Sequence, residues 1–236
     1  IEEQRLIGFK YSEELIEREL TIAGGTIKCS HFAIEYGVSV NIAGGTHHAF
    51  SNKGEGFCLF NDQAVAANYL IEKKLAKKVL IIDLDVHQGN GTAEIFKNNQ
   101  SVVTFSMHGE NNYPFQKQKS DLDVPLPDGT VDGYYLNVLK MSLKHLFKEV
   151  EPDFVFYQSG VDVLATDKMG KLSLTKEGCK KRDELVIQTV KGKGIPLVVC
   201  MGGGYSPQVS DVVEAHVNTF RVIKDNYFAE ELSCGL

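Results

Sequence analysis

What this sequence has little of narrows it first. Basic residues are in the minority, 25 Lys and Arg against 31 Asp and Glu over 236 residues, for a net charge of −6. The lysine-rich runs (Lys73-Lys74, Lys77-Lys78 and Lys180-Lys181-Arg182) are short and fall in helix-like segments. They read as solvated helix faces rather than the basic patch of a nucleic-acid binder, so no direct nucleic-acid binding is expected. Proline is scarce, 6 residues against 22 glycines, while apolar residues make up 43% and charged residues 24%. That balance excludes collagen, long disorder and coiled coil. The five cysteines (Cys29, Cys58, Cys179, Cys200 and Cys234) are odd in number, widely spaced and without a Cys-x-x-Cys pair. They read as reduced thiols, which points to a cytoplasmic location, or a nuclear one in a eukaryote. No apolar run is long enough to span a bilayer, no signal peptide is visible, and no membrane partner is expected. An initiating Met is also missing: the chain begins at Ile1.

What is present alternates. Val38–Ile42, Val79–Asp83, Val102–Ser106, Phe154–Tyr157 and Ile195–Cys200 are short, apolar and rich in β-branched residues. Such runs suit parallel strands covered on both faces. Helix-like segments lie between them, at roughly 12–36, 62–77, 92–98, 132–150, 175–193 and 207–224. This pattern predicts one domain over 1–236 with a doubly wound, mostly parallel sheet. The stretch 107–131, with Pro114, Pro125 and Pro127, reads as a long functional loop.

Ligands of open α/β sheets bind beyond the carboxyl ends of the strands. The residues just after each predicted strand are therefore the informative ones. They include Gly44-Gly-Thr-His47-His48, Asp83-Leu-Asp85-Val-His87-Gln-Gly-Asn90-Gly, Ser106-Met107-His108, Ser159-Gly-Val-Asp162 and Gly202-Gly203-Gly-Tyr205. Asp85 and His87, two residues apart at a strand end, can both reach one ion, and Asp162 can supply a third ligand. Two carboxylates and an imidazole fit a catalytic zinc with one position left for water. The plainer reading is that Asp83 and Asp85 cap the next turn and His87 is a satisfied loop histidine. Adjacent side chains seldom ligate one metal, so His47 and His48 are better placed for proton transfer. Each needs a partner to fix its tautomer, and Asp83 and Asn90 are the candidates. The glycines at 202–204 allow close backbone approach, but no Lys follows and the spacing is not Gly-x-Gly-x-x-Gly, which disfavours a nucleotide. The Tyr205 hydroxyl can instead donate to an oxyanion. Phe57, after Gly54-Glu-Gly56, is equally compatible with core or with a tunnel wall. His31, His145 and His216 sit in helix-like segments and read as structural; His108 stays open.

These motifs, with Gly56-Phe-Cys58 and Asn61-Asp62, stand in the order seen in zinc-dependent histone deacetylases, which the sequence resembles from about residue 20 to 224. His87-Gln-Gly-Asn-Gly91 and Lys181-Arg-Asp-Glu-Leu-Val186 are similar to the class IV branch and to related bacterial deacetylase-like proteins. The resemblance implies the three-layer arginase–deacetylase fold and hydrolysis of Nε-acyl-lysine amides, with acylated lysines of proteins or peptides, histones among them, as partners. It implies that Asp85, His87 and Asp162 bind zinc, which polarises the acyl carbonyl and activates water. It makes His48 the general base, with His48 or His47 as the later acid, and Tyr205 the oxyanion donor. Gly56, Phe57, Tyr113 and Gly203 would contact the substrate. A structural potassium ion is implied at Asp83, Asp85, His87, Ser106 and Met107. Relatives also carry a segment before the point where Ile1 falls, so the domain is expected to lack its N-terminal portion, including a strand and rim loops.

One departure is chemical. Many members have Asp where this chain has Asn90, and a neutral amide favours the charged form of His48 less than a carboxylate does. Two rivals share the residues. An acetylpolyamine deacetylase needs the same groups, and an acyl-lysine binding protein without activity could retain them. A two-manganese ureohydrolase needs further aspartates, but Gly89 stands two after His87.

Overall fold

The computed structural model describes residues 6–229. Six strands, β1 (Val38–Asn41), β2 (Val79–Asp83), β3 (Val102–Gly109), β4 (Leu122–Leu126), β5 (Phe154–Gln158) and β6 (Leu197–Cys200), form one sheet in the order β1-β6-β5-β2-β3-β4. Every pairing is parallel, so the described sheet is all parallel rather than mostly so. The chain winds outward from β2 through β3 to β4, then returns to the other side of β2 for β5 and β6. The order therefore reverses between β2 and β5, the place where such sheets open a crevice for ligands.

Among the described residues six helices cover the sheet: α1 (Glu13–Tyr36), α2 (Asp62–Glu72), α3 (Asn90–Phe96), α4 (Asp132–Glu149), α5 (Lys176–Lys191) and α6 (Val209–Tyr227). Ser12, Asn61 and Thr175 start α1, α2 and α5 by accepting a backbone N–H three residues on. Alternate residues of one strand point to opposite faces, so β2 divides itself between two cores. Leu80 and Ile82 pack with Tyr135, Leu139, Leu143, Val186 and Val222 of α4–α6. Val79 and Ile81 pack with Ala33, Ala67, Leu70 and Phe96 of α1–α3. Three layers result, as expected of the arginase–deacetylase fold.

The structure departs from the sequence expectations in four places. The stretch 107–131 is not all loop: β3 runs on to Gly109, and Leu122–Leu126 is an edge strand. Its Pro125 pairs His108 at the edge, where a missing N–H costs no ladder bond. Helix α2 stops at Glu72, not 77, because Lys74 turns the chain with φ +58. Helix α6 starts and ends later than expected, at Val209 and Tyr227. Finally, Arg182 is not on a solvated face. It is fully buried, held by Asp183 and by the carbonyls of Leu84, Ser159 and Gly160.

Candidate metal centre and catalytic pocket

The reversal between β2 and β5 sets the site. The β2 strand ends at Asp83, next to Ser106 of β3 and Gln158 of β5. The loop that follows is braced by its own carboxylates: Asp83 Oδ1 accepts from the Asp85 N–H at 3.1 Å and Asp85 Oδ1 from the His87 N–H at 3.0 Å. The turn-capping role and the inward-facing role thus belong to the same side chains. From the loop after β5, Asp162 Oδ1 reaches across to accept from the Val86 N–H at 2.9 Å. Asp85, His87 and Asp162, all buried, thereby bring one potential ligand atom each within 4.8 Å of one another, and form the one such group among the described residues.

The donor set fits a divalent cation of zinc type. His87 Nδ1 lies 3.0 Å from Asp85 Oδ1 and 3.1 Å from Asp162 Oδ2. Burial alone would discharge this imidazole, but the hydrogen bonds and charges of Asp162 and Asp85 outweigh it and raise it to about 10. Burial beside Asp85 pushes the Asp162 carboxyl up to about 7. Two desolvated carboxylates around one ring nitrogen thus create a spot that favours positive charge. The glycine run serves the same spot. The Gly203 N–H donates to Asp85 Oδ2 at 2.9 Å, and a Cβ on Gly203 would overlap Asp162 Oδ2. The close approach anticipated for this loop is to carboxylates, not to phosphate.

Above the triad stand the two histidines, in contrasting states. His47 Nδ1 is 2.7 Å from Asp83 Oδ2, and its Nε2 is 3.9 Å from Asp85 Oδ1. Burial opposes its charge, yet Asp83 and Asp85 raise it to about 9. His48 Nδ1 is 2.7 Å from the amide oxygen of Asn90. Burial, then the neighbouring His47 charge, hold it well below the ordinary histidine value. The two surroundings thus push the adjacent rings in opposite directions, His47 toward holding a proton and His48 toward the neutral form.

A cavity of about 660 Å³ opens over these groups. Gly56, Phe57, Tyr113, Gly203 and Tyr205 line it. Phe57 is a wall rather than core: it is 42% exposed, at φ +66, with its ring 5.4 Å from Phe9. Gly56, at φ +55, passes so close to His48 that a Cβ would lie 2.7 Å from the ring. The Tyr113 ring meets His48 edge-on with centroids 5.1 Å apart. Its loop is gathered by Lys117, whose ammonium donates to the carbonyls of Glu110, Asn112 and Pro114. Tyr205 is anchored through its N–H to Asp167 Oδ2 at 2.6 Å. Burial and the charges of Asp85 and Asp162 raise its phenol, which stays a hydrogen-bond donor. Ser106 and Met107 are buried on β3 beside Asp83, away from the cavity.

Several residues of this region escaped sequence reasoning. Glu55 accepts from Asn90 and Tyr113, and its signal was a carboxylate enclosed by Gly54 and Gly56. Met169 and Phe9 complete the cavity wall, with no local signal. Arg182 lies behind the loops of β2 and β5; the inward stripe Cys179, Arg182, Val186, Val190 carried it at helical spacing. Two of the other histidines, His216, read as structural, and His108, left open, are placed away from the cavity. His216 and His108 are buried and lowered to about 4 by desolvation, and neither lines the cavity; His108 Nδ1 pairs with Ser106 Oγ.

The family model for the histone deacetylase domain matches residues 7–220. The chain belongs to the histone deacetylase family. Histone deacetylase 2 of Arabidopsis thaliana is 34% identical over 80% of this chain and 50% of its own length. Histone deacetylase clr6 of Schizosaccharomyces pombe is 35% identical over 72% of this chain and 43% of its own. An uncharacterized protein of Picosynechococcus sp. is 46% identical over 95% of this chain and 75% of its own. The chain thus spans half or less of the two histone deacetylases, and the strand-end loops of β1, β2, β5 and β6 all fall inside the matched histone deacetylase domain.

Proposed function

We propose that the protein is a zinc-dependent hydrolase of Nε-acyl-lysine amides. The observation that carries this reading is the Asp85–His87–Asp162 cluster at one wall of a cavity shared with one charged and one neutral histidine. A zinc ion held by those three side chains would supply the Lewis acidity that polarises an acyl carbonyl and acidifies water. His48, with its Nδ1–H donated to Asn90 Oδ1, presents the Nε2 lone pair and takes a proton from the attacking water. It then returns that proton to the departing lysine amine. His47, kept cationic by Asp83, steadies negative charge developing on the acyl oxygen. The Tyr205 hydroxyl donates to the same oxygen. Phe57, Gly56, Tyr113 and Gly203 flank the acyl-lysine chain, a role supported by their place on the cavity wall.

Two finer assignments go with this reading. The class IV branch is supported by His87-Gln-Gly-Asn-Gly91, whose Asn90 meets His48, and by Lys181-Arg-Asp-Glu-Leu-Val186, whose Arg182 braces the loops behind the site. A potassium ion held by Asp83, Asp85, His87, Ser106 and Met107 is supported by the burial of all five around the carboxyl ends of β2 and β3. Elemental analysis of the purified protein counts both metals.

The deciding experiment is turnover by zinc-loaded protein of lysine peptides acylated from acetyl to myristoyl, with acetylated polyamines in parallel. Hydrolysis of the peptides is expected. Turnover confined to polyamines would reassign the substrate, and stoichiometric zinc with no turnover of either class would overturn the enzyme reading.

A further inference from the structure

Glu55 does not line the cavity, yet three donors converge on its carboxylate. Asn90 Nδ2 donates to Oε1 at 2.9 Å, the Tyr113 hydroxyl to the same oxygen at 2.6 Å, and Lys53 Nζ to Oε2 at 2.6 Å. We infer that Glu55 is a positioning residue that fixes which way round the Asn90 amide sits, and thereby which nitrogen of His48 carries the proton. The inference rests on the reading of His48 as the base.

An amide side chain has nearly the same shape after a half-turn, which exchanges its oxygen and its NH2. With Oδ1 toward His48, the ring must put its proton on Nδ1, and Nε2 keeps a free lone pair. With Nδ2 toward His48, Nδ1 must accept, the proton moves to Nε2, and no base faces the cavity. A neutral imidazole satisfies either arrangement, so His48 itself does not choose. Were residue 90 a carboxylate, the question would not arise, because it only accepts. With Asn90 in place, the choice passes to the far end of the amide.

There Glu55 decides it. An ionised carboxylate has no proton to give. A turned amide would set Oδ1 against Oε1, two acceptors face to face at a place where Asn90 is 1% and Glu55 9% exposed. Leaving buried polar groups unpaired in this way is disfavoured. Burial works to neutralise Glu55, but Lys53, Tyr113 and Asn90 together outweigh it and hold the carboxyl below its ordinary range. The acceptor-only character of a carboxylate is thus delivered to His48 through the amide, without a negative charge against the ring.

The test is Glu55→Gln, which keeps shape and volume but can offer either an oxygen or an NH2. In zinc-loaded full chain with 15N-labelled histidine, the parent should show His48 as a single Nδ1–H tautomer, identified by the signal lost in His48→Ala. In Glu55→Gln, a second Nε2–H population should appear, and kcat should fall at least about twofold, in proportion to the Nδ1–H fraction that remains, with KM little changed. The double variant Asn90→Asp with Glu55→Gln removes the ambiguous amide. At alkaline pH it should return His48 to the single Nδ1–H form. A Glu55→Gln protein that folds, by its circular dichroism melt, and keeps one tautomer overturns the inference, whether or not kcat changes. Failure of the double variant to recover the single tautomer overturns it too. The tautomer signal is read without any substrate, so failure of the deacylase reading would leave this result standing on its own.

Discussion

Two adjacent histidines share a loop and are both buried, yet are pushed toward opposite charge states because their partners differ. Asp83 faces one and the Asn90 amide the other. Roles therefore separate by variant. His48→Ala and Tyr205→Phe should abolish acyl-lysine turnover, by roughly 10²-fold or more, while stoichiometric zinc is retained. Asp162→Ala should lose zinc and activity together, as elemental analysis and turnover will report; retained zinc would refute the ligand assignment. The same pair predicts a pH effect. If His48 is the base, it must be uncharged to act, and because burial and His47 hold it well below an ordinary histidine, activity should persist into acid. A carboxylate in place of Asn90 favours the charged ring. Asn90→Asp should move the acidic limb of the kcat/KM profile to higher pH, and an unmoved limb would show that residue 90 does not pair with His48.

At the scale of elements, strand-end loops do the positioning, and backbone shape matters as much as side chains. Gly56 holds φ +55 within 2.7 Å of the His48 ring, measured from the place a Cβ would take. Gly56→Ala should cost about 1–2 kcal/mol of stability from the left-handed backbone. It should also cut kcat by roughly 10²-fold by displacing the ring. A denaturant melt and a turnover assay read the two effects separately. Helix α5 contributes through Arg182, which ties loop carbonyls after β2 and β5 together while Asp183 takes bonds from Tyr157 and Thr219. Arg182→Met leaves Asp183 as a buried charge short of its partner and should cost about 3–5 kcal/mol in urea unfolding. These elements also mark what a sequence exposes. β2 and β5 are legible because every residue is buried and each strand is a run of apolar and aromatic residues up to its last position, Asp83 or Gln158. Leu122–Leu126 carries Asp123 and Pro125, tolerated only because it lies at an edge, so its pattern mimics a loop. Arg182 sat on the correct stripe but hid behind its charge, and the neighbouring Lys180 and Lys181 made the run look solvated. Glu55 had a local signal between Gly54 and Gly56, but its role was hidden because its partners Asn90 and Tyr113 lie 35 and 58 residues away.

At the scale of the molecule, three layers enclose the buried anionic cluster, and a bound cation should stabilise the whole. Zinc at a thousand times its dissociation constant adds about 4.1 kcal/mol. For a chain of this size that corresponds to roughly 8–16 °C in Tm. A chelator titration followed by scanning calorimetry should show a loss of that order, and Asp162→Ala should show none. The reversal of strand order has one further consequence. Asp85 and His87 are delivered by the half of the sheet that grows toward β4, and Asp162 by the half that grows toward β1. His87 and Asp162 are 75 residues apart in the chain and meet only when β5 docks against β2. Neither half owns a complete ligand set, so chemistry cannot begin until β2 and β5 are joined, and a loaded metal would in effect certify that both halves have met.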